Sequence, residues 1–534
     1  MQQDAEEIVK RQPCLEAVTW NIAAPNANPF EFWSTHGNQE YDDLMSAVQK
    51  YVDCPAELDV AMEDLFSHSM YDEMREELCR QGLPNLDQMD RMWTSDLSKR
   101  RVVSGFLKDR SFGEKRLISM PDRITNSARN SCGREIFRPS PISGFAEDMG
   151  DIPTWWALWK RYMFCTPVCH QGERLPSVFS LLQSIPRAKY PALTEAEEAI
   201  SRALQTLCLA LFDAALTHLL SRIAPETWQQ LRRSLHRALF ENKAASCVAI
   251  LQAHYRQADV VFVQEASEAF AARAGVCLPH HVLRPAGADG RRRQMSLILA
   301  SRARFDPSTA ADVTRDVLRD DPRLACVACG DLCAFTIAAA AGGGGRAGRE
   351  RFLLASFHGD SDGRSTAPIL AALDRLARER YPGHTLVIGL DSNLPAGGRH
   401  GRGGEVDEGA ADGLEGVLAG LGLASCWEGH ERRGLWTTCS ARTLLQPQLH
   451  KAVRREAAAA GGEWGLGRHA RLKDWVVFRG AQLAPRGAAA RDNTGGGGFD
   501  AGRATPSPAF PSDHAVVSVA LRARTLERTC SGAL

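Results

Sequence analysis

HTLVIGLDSN, residues 384–393, is the stretch from which the rest of the chain can be read. Thr385–Leu390 is a short aliphatic run with β-branched members, bounded by polar residues, and it reads as a buried strand. It runs out into Asp391 and Asn393. Two residues apart in an extended chain, these side chains point to one face. A carboxylate and a carboxamide at the end of a buried strand belong at the mouth of a crevice. That is where open α/β sheets bind their ligands.

The pattern recurs along the chain. Strands are predicted at Ala17–Ile22, Asp259–Val263, Met295–Ala300, Phe335–Ala339, Phe352–Phe357, Asp474–Phe478 and Ala515–Leu521. Several carry a polar residue at one end: Asn21 in VTWN, Glu265 in VVFVQE, His358 in LLASFH, Asp474 in RLKDWVVF, and Asp513–His514 before AVVSVAL. Helical spacing at Thr366–Arg380 between two of the strands suggests an α/β domain around a large sheet system. The region from about 40 to 257 differs. Ala192–Arg222 and Glu226–Tyr255 show apolar residues at helical spacing, with Pro225 placed for a helix start. The first strand is thus cut off from the second by a long insertion or a further domain.

Composition narrows the function classes. The 534 residues contain 64 basic and 64 acidic side chains, so the net charge is zero. Bulk-charge binding of nucleic acid, as in histones, is excluded; a local basic groove is not. Arginine outnumbers lysine 54 to 10, a compositional bias. No uncharged apolar run reaches the roughly 18 residues of a membrane span, so no transmembrane segment is expected. The first residues, MQQDAEEIVKRQP, resemble neither a secretory signal nor a transit peptide. With 15 irregularly spaced cysteines, an intracellular site, cytoplasmic or nuclear, with reduced thiols is expected. Glycine is concentrated late in the chain, at 342–345, 397–413 and 495–498, read as flexible surface loops.

Each strand-end residue suits the hydrolysis of a phosphate ester. Glu265 is a hard oxygen ligand for Mg²⁺, which takes one or two carboxylates together with substrate phosphate. Asp391 suits the orientation or deprotonation of water. Asn393 and His358 can donate to phosphate oxygens as charge builds. An Asp–His pair fixes an imidazole tautomer. Singly, each has a plainer use: Asp391-Ser-Asn393 makes an Asx-turn, Asn21 caps a turn, Asp513–His514 opens a strand, and Asp474 pairs with Lys473 at the surface. Their joint order favours one shared site.

TWN, VQE, SFH, GLDSN, LKDW and SDH, in this order, resemble the endonuclease/exonuclease/phosphatase superfamily over residues 15–33 and about 258–522. The resemblance implies a DNase I-like two-layer β-sandwich flanked by helices, an α/β fold, here with a large, mainly helical insertion. The parts are then residues 1–33 as first strand, 34–257 as a helical insertion or substrate-specifying subdomain, and 258–534 as the rest of the catalytic domain. It implies an Mg²⁺-dependent phosphoester hydrolase, with Mn²⁺ a substitute. By the match of motifs, Asn21, His358, Asp391, Asn393, Asp474 and His514 are catalytic, and Glu265, Asn21 and Asp513 hold the metal. Nucleic acid is the leading substrate. A phosphorylated small molecule or lipid headgroup, and a non-catalytic scaffold on the same fold, are the alternatives. Leu390 stands between Gly389 and Asp391, where the family often has Gly-Asp-x-Asn. SNLP and LKDW also depart from the inositol 5-phosphatases, which argues against a phosphoinositide substrate.

Three further features have modest expectations. Cys326, Cys329 and Cys333 hint at zinc but lack a well-spaced fourth ligand. Trp155, Trp156 and Trp159 read first as helix core and only second as a base-stacking surface. Arg116 and Arg123 in RLISMPDRITN are candidate phosphate contacts from the insertion.

Overall fold

The computed structural model describes residues 14–286, 294–319, 321–341, 349–361, 363–394, 408–431, 434–440 and 469–524. These divide into two compact units. One unites residues up to Pro25 with Asn242–Ser440 and the chain from Arg468 onward; the other is Asn26–Glu241.

The first unit is built on two mixed sheets. The seven-stranded sheet runs Leu483–Pro485, Val516–Ala523, Cys14–Asn21, Val260–Ala266, Met295–Ser301, His280–Leu283, with Ala490–Asp492 also pairing with Val516–Ala523. The six-stranded sheet runs Leu423–Ser425, Asp474–Arg479, His384–Asp391, Arg351–His358, Leu332–Ala339, Phe305–Asp312. The strand predictions fall on these elements. Period-two alternation decides which side chains meet. Leu15 and Ala17 enter the cluster shared with the second sheet, while Val18, Trp20 and Ile22 face the opposite way. Val260 and Phe262 point inward with Ala17, and Val261 and Val263 outward with Val18. The inward cluster continues through Leu353, Ala355, Val387 and Val476 to helix Thr366–Glu379. The outward face is covered by helices Lys243–His254 and Glu268–Cys277.

Helix Lys243–His254 belongs by packing to this sheet, since Cys247, Val248, Ile250 and Leu251 share its cluster with Trp20 and Phe270. The break from the insertion therefore falls near residue 241, ahead of the 257 drawn from sequence. The single helical run read over Glu226–Tyr255 is divided there, into Trp228–His236, a π-turn at Arg237–Glu241, and Lys243–His254.

The second unit is largely helical around its own core. Helix Ser201–Ile223 is long and apolar enough to cross a membrane, yet 94% of its most apolar window is buried within the protein. Trp155, Trp156 and Trp159 are buried beside it in the same cluster, so the core reading of these residues holds. Helical periodicity missed a four-stranded sheet, Glu135–Phe137, Ser127–Asn130, Val168–His170, Glu173–Leu175. Three or four residues are too few to show alternation. A fully buried ion pair, Arg138 to Asp213 at 2.7 Å, is completed by Ser140 and the Trp159 indole N–H. The Arg116 guanidinium lies over the Tyr190 ring, and Arg123 is exposed on helix Ser119–Thr125.

Two expectations need correction. The 495–498 glycines do not form a free loop. The buried Asp492 carboxylate accepts the backbone N–H groups of Thr494, Gly495 and Gly497 and the Thr494 hydroxyl. Gly495 has φ +76°, and a Cβ there would stand 3.2 Å from the Ala509 carbonyl, so the turn is wound and packed. The stretches 342–345 and 397–407 lie outside the described residues, and the rest of the 397–413 stretch opens the helix Glu408–Leu421 instead of a loop. The cysteine hint of zinc also gains no support: Cys326 and Cys329 are exposed, Cys333 is buried, and no metal-holding group among the described residues includes them.

The sheets approach closely at Gly389, where a Cβ would meet the Phe262 Cβ at 2.3 Å. Gly389→Val should destabilise the fold by about 1–3 kcal/mol through overpacking, read as a lowered Tm. Asp492→Ala should also lower Tm, because it strips the partners from three part-buried N–H groups. An unchanged Tm in either variant would contradict the packing described.

Candidate functional site

The strand ends converge because of register. His358 and Asp391 are direct partners on parallel strands, and Asp391 in turn faces Asp474 on the antiparallel neighbour. These three side chains therefore form one row across the second sheet. From the first sheet, Asn21 lies opposite Gln264.

Glu265 requires a device of its own. Alternation would send it outward with Val261 and Val263. It instead adopts φ +57°, and the ladder with Met295–Ser301 shifts between Val263 and Ala266. This left-handed bulge, which costs roughly 1–2 kcal/mol for a residue with a Cβ, turns the carboxylate to the row. Asn21 then joins the two sheets. Its Nδ2 donates to Glu265 Oε1 and Asp391 Oδ2, each at 2.9 Å. Glu265 Oε2 accepts the Ala24 N–H at 2.7 Å.

His358 Nε2 lies 3.2 Å from Glu265 Oε1 and 3.9 Å from Asp391 Oδ2, and its Nδ1 lies 3.9 Å from Asp331. His514 is held at Nδ1 by both Asp474 oxygens, at 2.9 and 3.0 Å, which leaves Nε2 facing Asp391 Oδ2 at 3.6 Å. The PSDH segment is stapled to the first strand: Ser512 Oγ donates to the Asn21 carbonyl, and the Trp20 indole N–H to the His514 carbonyl. Asn393, at φ +41°, donates its backbone N–H to Asp391 Oδ1 at 3.0 Å, so the Asx-turn and the site are one structure. Its side-chain Nδ2 donates to the Gly359 carbonyl and faces His358 Nε2 at 3.3 Å.

Burial alone would push both imidazoles toward neutrality, but the carboxylates prevail. His514 is raised to about 9, chiefly by Asp474 and then Asp391. His358 is raised to about 10 by Asp331 and Glu265. Burial pushes the Glu265 carboxyl up, but His358, Asn21 and the Ala24 N–H bring it well below the usual range. Asp391 is likewise lowered against its burial by His514, Lys473 and His358.

Among the described residues, two groups of side chains are close enough to hold a cation: Glu265, His358 and Asp391, and Asp391, Asp474 and His514. The carboxylates of Glu265 and Asp391 fit a hard ion such as Mg²⁺. Asn21 is placed differently from the expected ligand, because Nδ2 faces the carboxylates while Oδ1 accepts the Ala23 N–H. It holds the two carboxylates together and adds no oxygen between them. Asp513 stands outside both groups; its carbonyl accepts the Thr505 hydroxyl.

Two packed mixed sheets, with the polar row at the strand ends, make up this unit. The fold is a two-layer β-sandwich flanked by helices, the architecture that the motif resemblance implies. Among solved structures, D. rerio TDP2 complexed with single-strand DNA product is 13% identical and covers 53% of this chain and 92% of that one, with a TM-score of 0.33. The human Nocturnin catalytic domain is 14% identical over 55% and 89%, with a TM-score of 0.34. An endonuclease/exonuclease/phosphatase family protein from Bacteroides thetaiotaomicron is 13% identical over 53% and 90%, with a TM-score of 0.33. A domain of unknown function (DUF8234) matches residues 59–233, inside the second unit. No curated protein matches the chain.

Sequence reading missed several supports of this site. Gln264 Nε2 donates to Ser356 Oγ at 3.0 Å and tethers the two sheets behind Asn21. Thr437 Oγ1 accepts the N–H groups of Lys473 and Asp474. Asp331 reaches His358 from the loop before Leu332–Ala339. Gln264 and Lys473 adjoin motif residues and so were open to suspicion; Thr437 and Asp331 carry no sequence signal. Lys473 does not pair with Asp474 as the plainer reading had it, and its Nζ donates to Asn393 Oδ1 at 2.7 Å.

The folded pKa of His514 lies above its usual 6.5, so its ion pair stabilises the protein fully below 6.5 and is lost as pH rises through about 9. In metal-free protein, Asp474→Asn should bring the His514 NMR titration midpoint down from that range. A midpoint unmoved by the substitution would show that Asp474 does not hold the imidazolium.

Proposed function

We propose that the DNase I-like unit hydrolyses phosphoesters with the help of a divalent cation, Mg²⁺ or Mn²⁺. The observation that carries this reading is the Asn21 bridge, which sets Glu265 and Asp391 side by side within reach of two imidazoles. A cation held by Glu265 and Asp391 would polarise the phosphoryl oxygen and ease the build-up of charge on it.

The chain's own residues divide the remaining work. Asp391, held ionised, orients the attacking water and accepts its proton at Oδ2. His514, kept in one tautomer by Asp474, donates from Nε2 to charge developing at phosphorus or on the departing oxygen. His358 and the Asn393 amide donate to non-bridging oxygens. Nucleic-acid phosphodiesters are the first substrates to test, because the superfamily that the motifs resemble acts on them most widely.

Glu265→Gln should weaken Mg²⁺ or Mn²⁺ binding and turnover together. Asp391→Asn and His514→Ala should each cut kcat by at least about 10²-fold. The checks are steady-state assays on a generic phosphodiester and phosphomonoester, before and after chelation, with circular dichroism as the folding control. Turnover that survives exhaustive chelation removes the cation from the reading. Near-normal kcat in either folded variant removes that residue.

A further inference from the structure

The position of Lys473 follows from three backbone restraints. Its N–H donates to Thr437 Oγ1 at 3.0 Å, its carbonyl accepts the Ser392 N–H at 2.8 Å, and the next residue is Asp474. The side chain therefore starts at the end of the strand that carries Asp474, beside the end of the strand that carries Asp391, and it reaches Asn393 Oδ1 at 2.7 Å.

The partner is the informative part. A lysine with carboxylates so near ordinarily closes an ion pair. Among the described residues this ammonium makes none, although Asp474 adjoins it in sequence, and it acts on Asp391 only as a charge at a distance. It is held by a neutral amide oxygen. An ammonium has three donors, and Asn393 takes one. The residue is partly exposed, so the remaining donors are not sealed in the core. The bond also settles which way the Asn393 amide faces. With Oδ1 on Lys473, Nδ2 turns toward Gly359 and His358, the side on which the phosphate donors gather.

We propose that Lys473 is a phosphate-binding and specificity-determining residue, whose ammonium donates to non-bridging oxygens and favours a doubly charged terminal phosphate over a singly charged diester. This rests on the hydrolase reading above and refines its substrate class. Lysine serves here as a point charge, and its attraction scales with the charge on the phosphate. A purely structural lysine would only hold Asn393, and its loss would affect both ester classes alike.

The test uses the full chain with Mn²⁺, and Lys473→Met, Lys473→Gln and Lys473→Arg. The measurements are kcat and KM on para-nitrophenyl phosphate and bis(para-nitrophenyl) phosphate, and calorimetric binding of inorganic phosphate. A charge-assisted hydrogen bond corresponds to about 10–100-fold. Lys473→Met and Lys473→Gln should lose about that much in kcat/KM on the monoester, clearly less on the diester, and should bind inorganic phosphate at least about tenfold more weakly. Lys473→Arg should keep the wild-type preference. The inference is overturned if the monoester-to-diester ratio and phosphate affinity are unchanged in Lys473→Met. It is equally overturned if Lys473→Gln, which can still donate to Asn393, restores both. Lys473→Gln and Lys473→Arg decide the matter should Lys473→Met fail to fold. If the wild type turns over neither ester but binds phosphate through Lys473, the hydrolase reading falls and the phosphate site stands. If it turns over both and Lys473 is silent, the reading stands and the inference falls.

Discussion

One carboxamide ties together the polar row of this protein. Asn21 is fully buried, and its two N–H bonds go to carboxylates on different sheets, Glu265 beside it and Asp391 opposite. Two buried carboxylates close together repel, and removal from water penalises both. The amide donors offset part of that cost, and His358 and His514 offset more as cations. The arrangement is balanced only while all the members are present.

The two sheets are closely packed behind this row because the amide has little reach. Gly389 lets the second sheet approach Phe262, which no residue with a side chain would allow without a shift. Gln264 and Ser356 make a buried polar tether at the same level, with Ser356 also donating to the Val263 carbonyl. The departure of Gly-Leu-Asp from the more usual Gly-Asp is thus tied to packing. Gly389 lies where the sheets approach, Leu390 points into the apolar cluster, and Asp391 ends the strand at the row.

The insertion follows a different logic. It carries its own core and its own buried ion pair. A segment so built can be accommodated between two neighbouring strands without disturbing their pairing, because Cys14–Asn21 and Val260–Ala266 still meet in parallel register.

The sequence by itself determined the strands, the α/β class and most of the row, because aliphatic runs ending in polar residues are a local signal. It also marked the insertion as mainly helical, since Ala192–Arg222 repeats its apolar residues at helical spacing. It placed the insertion's end too late and took the 495–498 glycines for a loose loop. In both cases the deciding contacts are distant: Ile250 against the sheet cluster, and the Asp492 carboxylate against Gly495 and Gly497. Tertiary structure alone decided the direction of Glu265, which alternation would have sent outward, and the partner of Lys473, which adjacency would have given to Asp474. It also set the Asn21 amide donors on two carboxylates. Strand identity is written in neighbouring residues; the direction in which a polar atom points depends on register, bulges and the opposite sheet, which no local pattern carries.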